Sequence, residues 1–241
     1  MLDLSDVTLF TISTRSHYDN SQALRVLDHC NRLAKFRNTI LFTNEQLSTD
    51  HQIIEIPKFN TTEDISVWGF TELSKYLSNF GNFVLQIHTD GYIINPHAWD
   101  TKFYDYDFIG SPWTWIKDYP VGNMGFYFAS KNFFLAIQEL NLKTVEECHP
   151  SDQILFNPYH FGNKRKEMES RIKIADYPIA SKFSTECEPY AGSFGFHKYY
   201  NLPSVKYHDV HLLEEHKYMI DDPGLIHSAN EVYQWCKNSC K

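Results

Sequence analysis

The 241-residue chain contains no apolar run near the ~18–20 residues that a membrane span needs. Its first residues, MLDLSDVTLF, carry acids where a secretory signal would carry bases, so no leader is expected there. Cysteine is scarce and irregular. Cys30, Cys148, Cys187, Cys236 and Cys240 are odd in number and match no disulfide framework, so reduced thiols in a cytoplasmic protein are expected. Cys236 and Cys240 can share a helical face, but two ligands do not make a zinc site. Positive charge is also short: 22 Lys+Arg against 30 Asp+Glu leave a formal charge of −8. That balance argues against a nucleic-acid partner, which needs a basic surface to displace counterions. Ten Gly and ten Pro are too few for a collagen-like or linker-like chain. What the chain does have is aromatics, 16% of residues, which sets it apart from disordered sequences. Its length suits one large domain.

The first half alternates strand and helix signals. Val7–Ser13 is a β-branched run, and Thr39–Thr43, His51–Pro57 and Phe83–Ile87 read as further strands. Gln22–Phe36 places Ala23, Val26, Leu27, Cys30 and Leu33 at the spacing of one helical face, with Ser21 as its expected cap. Asp64–Phe80 reads as a second helix. Phe83–Ile87 is apolar almost throughout, as a strand covered on both faces would be. This order predicts an α/β fold with a mostly parallel central sheet flanked by helices. In such sheets ligands bind beyond the carboxyl ends of strands, so Thr14–Ser16 and His88–Gly91 gain importance. Later, Ser130 is expected to cap a helix through Leu140, and HPSDQILF reads as a helix opening. Ser204–Lys241 is expected to pack as one or two helices.

Five features can carry chemistry. Asp90, in QIHTDGYI, follows a buried strand and offers hard oxygen to a divalent cation, although Asp-Gly also favours a plain tight turn. Gly122 and Gly125, in GNMG, suggest a backbone that something approaches closely, or a bend. Asp152 lies in the first turn of a helix, where an acid serves either as a cap or as a general base. His197 follows a small, flexible GSFG stretch and can reach a metal or phosphate. Aromatics from Trp99 to Tyr119, including Trp113 and Trp115, either fill the core or stack on a ligand. Arg15 suits a phosphate, whereas Lys164, Arg165 and Lys166 read as a solvated basic face.

In order, LQIHTD, YDFIGSPW, VGNMGFYFAS, SDQILF, KFSTE and GFH resemble the motifs of a largely uncharacterised group of glycosyltransferase-like domains. That group in turn resembles the GT-A fold of nucleotide-sugar glycosyltransferases. The resemblance spans Val7 to His197 and implies one GT-A-like domain over residues 1–241. Its nucleotide-binding half would be 1–91, its acceptor and catalytic half 92–203, and a helical extension 204–241. It implies a nucleotide sugar as donor, a carbohydrate or other hydroxyl compound as acceptor, and Mn2+ or Mg2+ as cofactor. The donor would lie on Thr11, Ser13, Thr14, Arg15, His88, Asp90, Gly122, Asn123 and Gly125. Asp90 and His197 would hold the metal, and Asp152 would be the base of an inverting transfer. The metal motif departs from the common Asp-x-Asp by reading His-Thr-Asp, and the usual GNGG reads GNMG. Two other classes remain open: a non-catalytic glycan- or nucleotide-binding module, and a transferase acting on a nucleic-acid base, which would need a basic channel.

Overall fold

Apolar runs too short to fold alone pair into one sheet in the computed structural model, which describes residues 1–14, 20–186, 188 and 190–197. β1 (Leu2–Ser13), β2 (Ala34–Thr43), β3 (Gln52–Glu55) and β4 (Phe83–Gln86) are parallel neighbours. β5 (Phe108–Gly110) and β6 (Tyr127–Ser130) complete a six-stranded sheet in the order β3-β2-β1-β4-β6-β5. Only β6 runs against the rest. The helices are α1 (Asn20–Leu33), α2 (Thr62–Thr71), α3 (Lys131–Leu140), α4 (Val145–Cys148), α5 (Ser151–Phe156), α6 (Arg165–Glu169) and α7 (Tyr177–Phe183). A short parallel pair, β7 (Ser184–Thr185) and β8 (Gly195–Phe196), lies apart from the main sheet. The chain is therefore a single α/β domain with a mostly parallel six-stranded sheet flanked by helices.

Alternation along the strands feeds two cores. Leu9, Leu41 and Leu85 point into one, with α1 and α7 behind them. Phe10, Phe42 and Val84 point into the other, against α2, α3 and α5. There Phe10 stacks on Phe80 with ring centroids 5.4 Å apart. Each large side chain so buried contributes about 1.5–3 kcal/mol of transfer free energy.

Three helix expectations shift. α1 begins at Asn20, so Ser21 lies inside its first turn and the cap position falls outside the described residues. It also stops at Leu33, because Ala34 and Phe36 are already paired with β1. The expected helix at Asp64–Phe80 is α2, capped by Thr61, followed by a separate 3-10 turn at Leu73–Tyr76. Thr71, Ser74, Ser78 and Asn79 are weak helix formers, and the chain must turn there to bring Phe80 onto Phe10. α3 matches its expectation: Ser130 accepts the Asn132 N–H, and Asn141 closes the helix in a left-handed conformation. The C-terminal segment from Ser204, together with Arg15, Cys187, Cys236 and Cys240, lies outside the described residues. Among the described residues no helix is long and apolar enough to cross a membrane.

The strand order places a crevice. From β1 the chain moves outward through β2 and β3, then returns to the other side of β1 as β4. Connections leave β1 and β4 in opposite directions, which opens a gap beyond their carboxyl ends. The antiparallel β6 enters from that same edge, since Tyr127 at its start pairs with Gln86 at the end of β4.

Candidate active site

β4 ends at Gln86, and the chain closes a tight turn at once. His88 N–H donates to Gly91 O (2.9 Å) and Gly91 N–H to His88 O (3.2 Å). Asp90 thus does sit in a Thr-Asp-Gly turn, and the turn aims it into the crevice. Asp90 Oδ1 lies 3.9 Å from His88 Nδ1 and 3.7 Å from His197 Nε2. One ligand atom from each of the three residues lies within 4.8 Å of the others. Two donors on one ion, each bonded at ~2.1 Å, sit up to ~4.2 Å apart, so small rotations suffice to gather all three. The outer ring nitrogens are engaged as well. The Gln86 amide nitrogen is 2.9 Å from His88 Nε2, and Glu186 Oε1 is 3.1 Å from His197 Nδ1. Two imidazoles oriented from behind, with one carboxylate, fit a divalent transition ion better than Mg2+, which favours oxygen ligands.

His197 reaches this point through β7 and β8. Their register sets Thr185 opposite Phe196, and His197 N–H donates to Thr185 O at 2.9 Å. Gly125 then makes room for the ring: a Cβ built at Gly125 would lie 1.9 Å from His197 Nε2. Gly122 is bare for a different reason. A Cβ there would strike Phe156 at 2.4 Å and the Trp113 ring at 2.8 Å. Both glycines of GNMG therefore accommodate the protein's own side chains. Asn123 lines the crevice between them, and its Oδ1 accepts the Gly125 N–H at 2.9 Å. Gly122 sits behind the lining.

Asp152 opens α5 and faces the same space. Its Oδ1 accepts the Gln153 N–H at 2.8 Å. Burial, and then the nearby Glu186 carboxylate, push its carboxyl above the usual range, against the pull of that N–H and of His197. A carboxylate moved toward neutrality is a stronger base once ionised. Glu186 itself is 6% exposed, and neither it nor Gln86 was singled out from the sequence. The only hint was the acid closing the buried run FSTE.

The crevice has a volume of about 500 Å3. Thr11, Ser13 and Thr14 form its floor at the end of β1, all buried. Ser13 is taken up by Asn20. Thr14 Oγ1 is buried and has no hydrogen-bond partner among the described residues. Such a group calls for a ligand or water. Ser66 of α2 and His149 form another wall, 3.0 Å apart through Oγ and Nδ1. The aromatics divide. Trp115 is 54% exposed at the rim and stacks on buried Trp113 (centroids 5.8 Å apart). Trp99, Phe103 and Tyr104 pack against the core instead. The basic run needs correction: Arg165 is 6% exposed, and its Nη1 donates to Val121 O at 2.8 Å while Nε donates to Glu169 at 2.8 Å. It braces the loop before GNMG, because Tyr119 and Phe156 give its guanidinium an aromatic seat. The buried thiols are poor nucleophiles, with burial pushing Cys30 up to about 12 and Cys148 to about 11. A second concavity of about 770 Å3, bordered by Trp99, Tyr177 and Lys182, shares only Glu186 with the crevice among the described residues.

Among solved structures, the chain is similar to a glycosyltransferase involved in the glycosylation of the major capsid of PBCV-1. The TM-score is 0.49 at 11% identity, over 79% of this chain and 91% of that one. It is also similar to the bifunctional IspDF from Campylobacter jejuni, with a TM-score of 0.40 at 11% identity, over 70% of this chain and 48% of the other. No curated protein matches its sequence. A family described as "Protein of unknown function (DUF5672)" matches residues 41–197, more than half of the chain and the stretch from β2 to His197. The chain belongs to that family.

Proposed function

We propose that this protein is a metal-assisted glycosyltransferase, moving a sugar from a nucleoside diphosphate sugar to a hydroxyl acceptor. The observation that carries the reading is the shared crevice. A three-residue ligand set (His88, Asp90 and His197) opens into the same space as a base-strengthened Asp152 and the Thr14 hydroxyl, which has no hydrogen-bond partner among the described residues. The motif order that resembles glycosyltransferase-like domains supports it independently. A divalent cation, when bound, supplies charge to stabilise the departing diphosphate. The chain's own residues do the rest. Thr14 and the floor of β1 bind the donor. Asp152 accepts the acceptor's hydroxyl proton as its oxygen bonds to the anomeric carbon and the carbon–phosphate oxygen bond breaks. Trp115 presents an exposed ring at the rim where an acceptor enters.

A melting-temperature screen of nucleoside diphosphate sugars, with and without Mn2+, tests the reading. One donor is expected to raise the melting point strongly only with the ion present; saturation at 100 times Kd corresponds to about 2.7 kcal/mol. Slow hydrolysis of that donor distinguishes an enzyme from a binding module. A screen in which no donor shifts the melting point overturns the reading.

A further inference from the structure

We infer that Glu186 is the positioning residue for His197, fixing the tautomer and angle in which Nε2 faces Asp90. The inference rests on the metal-assisted reading above. The parallel register of β7 and β8 aligns Thr185 with Phe196, so the residues that follow the two strands, Glu186 and His197, leave the pair side by side. There Glu186 Oε1 meets His197 Nδ1 at 3.1 Å, and both residues are more than nine-tenths buried. An ionised carboxylate only accepts, so it draws the proton of a neutral imidazole onto Nδ1 and leaves Nε2 as the ligating nitrogen. That nitrogen is on the side of Asp90, 3.7 Å away. The bare Gly125 backbone packs against the same ring, so the imidazole is held from behind and from one face. A carboxylate behind a ligating imidazole orients it and makes it more basic toward a cation, and losing such a partner typically costs about 10–100-fold in metal affinity.

The test pairs two readouts on the full chain. Nitrogen-15 NMR reads the tautomer of His197 without metal, and Mn2+ titration followed by electron paramagnetic resonance reads affinity. In the wild type, the neutral His197 ring should show a protonated Nδ1 and an unprotonated Nε2. Glu186→Ala should release that tautomer into a mixture and weaken Mn2+ binding about 10–100-fold. Glu186→Gln keeps the volume but can turn its amide nitrogen toward Nδ1, so it should shift part of the population to the other tautomer and weaken Mn2+ binding less than Glu186→Ala; if the alanine variant does not fold, an unchanged tautomer and affinity in Glu186→Gln overturn the role. An unchanged tautomer in Glu186→Ala, or a lost tautomer with unchanged Mn2+ affinity, overturns the positioning role and leaves the transferase reading standing. A wild type with the fixed tautomer but no Mn2+ binding overturns the metal reading itself, and with it any role for Glu186 in metal affinity.

Discussion

The two walls of the crevice are built to different standards of rigidity. His88 and Asp90 project from a four-residue turn, and their side chains are 40% and 22% exposed. Glu186 and His197 directly follow the paired strands β7 and β8 and are 7% and 5% exposed. The difference follows from what each segment packs against. The turn after β4 is closed by two backbone hydrogen bonds and faces the open crevice. His197 is enclosed by Gly125, Glu186 and the β7–β8 ladder. A preorganised wall opposite an adaptable one would suit the proposed transfer, in which a cation is held firmly while substrate enters and leaves. Substitutions on the closed wall should therefore cost more than substitutions on the open one.

The largest effect is expected at Asp152. Asp152→Asn should lower turnover about 10²–10⁴-fold with donor affinity kept, as measured by steady-state kinetics and donor titration. Loss of donor binding instead would move Asp152 from proton transfer to substrate binding. The same residue sets a pH dependence. Its folded pKa lies above the unfolded value of 3.8, so the folded state binds this proton more tightly. The stability it contributes is present below that value and is lost as pH rises through the folded pKa. Thermal melts should therefore show Asp152→Asn more stable than the wild type at neutral pH, with the gap closing in acid. Turnover of the wild type should rise with pH across the same elevated pKa.

Gly125→Ala comes next. Its Cβ has nowhere to go except into the imidazole, so His197 must leave its seat. Mn2+ affinity should fall at least about tenfold. Overpacking of this kind costs about 1–3 kcal/mol of stability, visible in denaturant melts. Unchanged affinity would show that the closed wall yields as easily as the open one.

The sheet was readable because its central strands carry short apolar runs covered on both faces, and their alternation with helical spacing follows from chain periodicity alone. The crevice was readable for the same reason, as a consequence of strand order. Asp90 stood out by its turn and Asp152 by its helix start, both local marks. Residues whose roles depend on distant partners left no such mark. Arg165 looks like one more base in NKRKE; what buries it is Tyr119, Val121 and Phe156, brought close only by the fold. Glu186 ends an ordinary strand run, and its meaning comes from register with a segment eleven residues on. The glycines of GNMG advertise close approach correctly, but sequence does not say that His197, Trp113 and Phe156 are what approach.

The smallest effect belongs to the open wall, at His88. Restoring the acid with His88→Asp exchanges an imidazole for a hard oxygen ligand beside Asp90. The side chain is 40% exposed, and what it gives up includes its contact with the Gln86 amide and its edge-on packing against the His197 ring, so the change should cost little in stability. Imidazole favours transition ions over Mg2+, which takes oxygen ligands. The variant should therefore keep Mn2+-supported binding of the donor within about tenfold of the wild type, while Mg2+ support rises relative to Mn2+. Donor-dependent melting shifts measured in each ion read that ratio directly. If instead His88→Asp abolishes binding in both ions, His88 is as tightly specified as His197. Exposure in that case does not mark an adaptable wall, and the turn after β4 must be held by contacts that only the bound state makes.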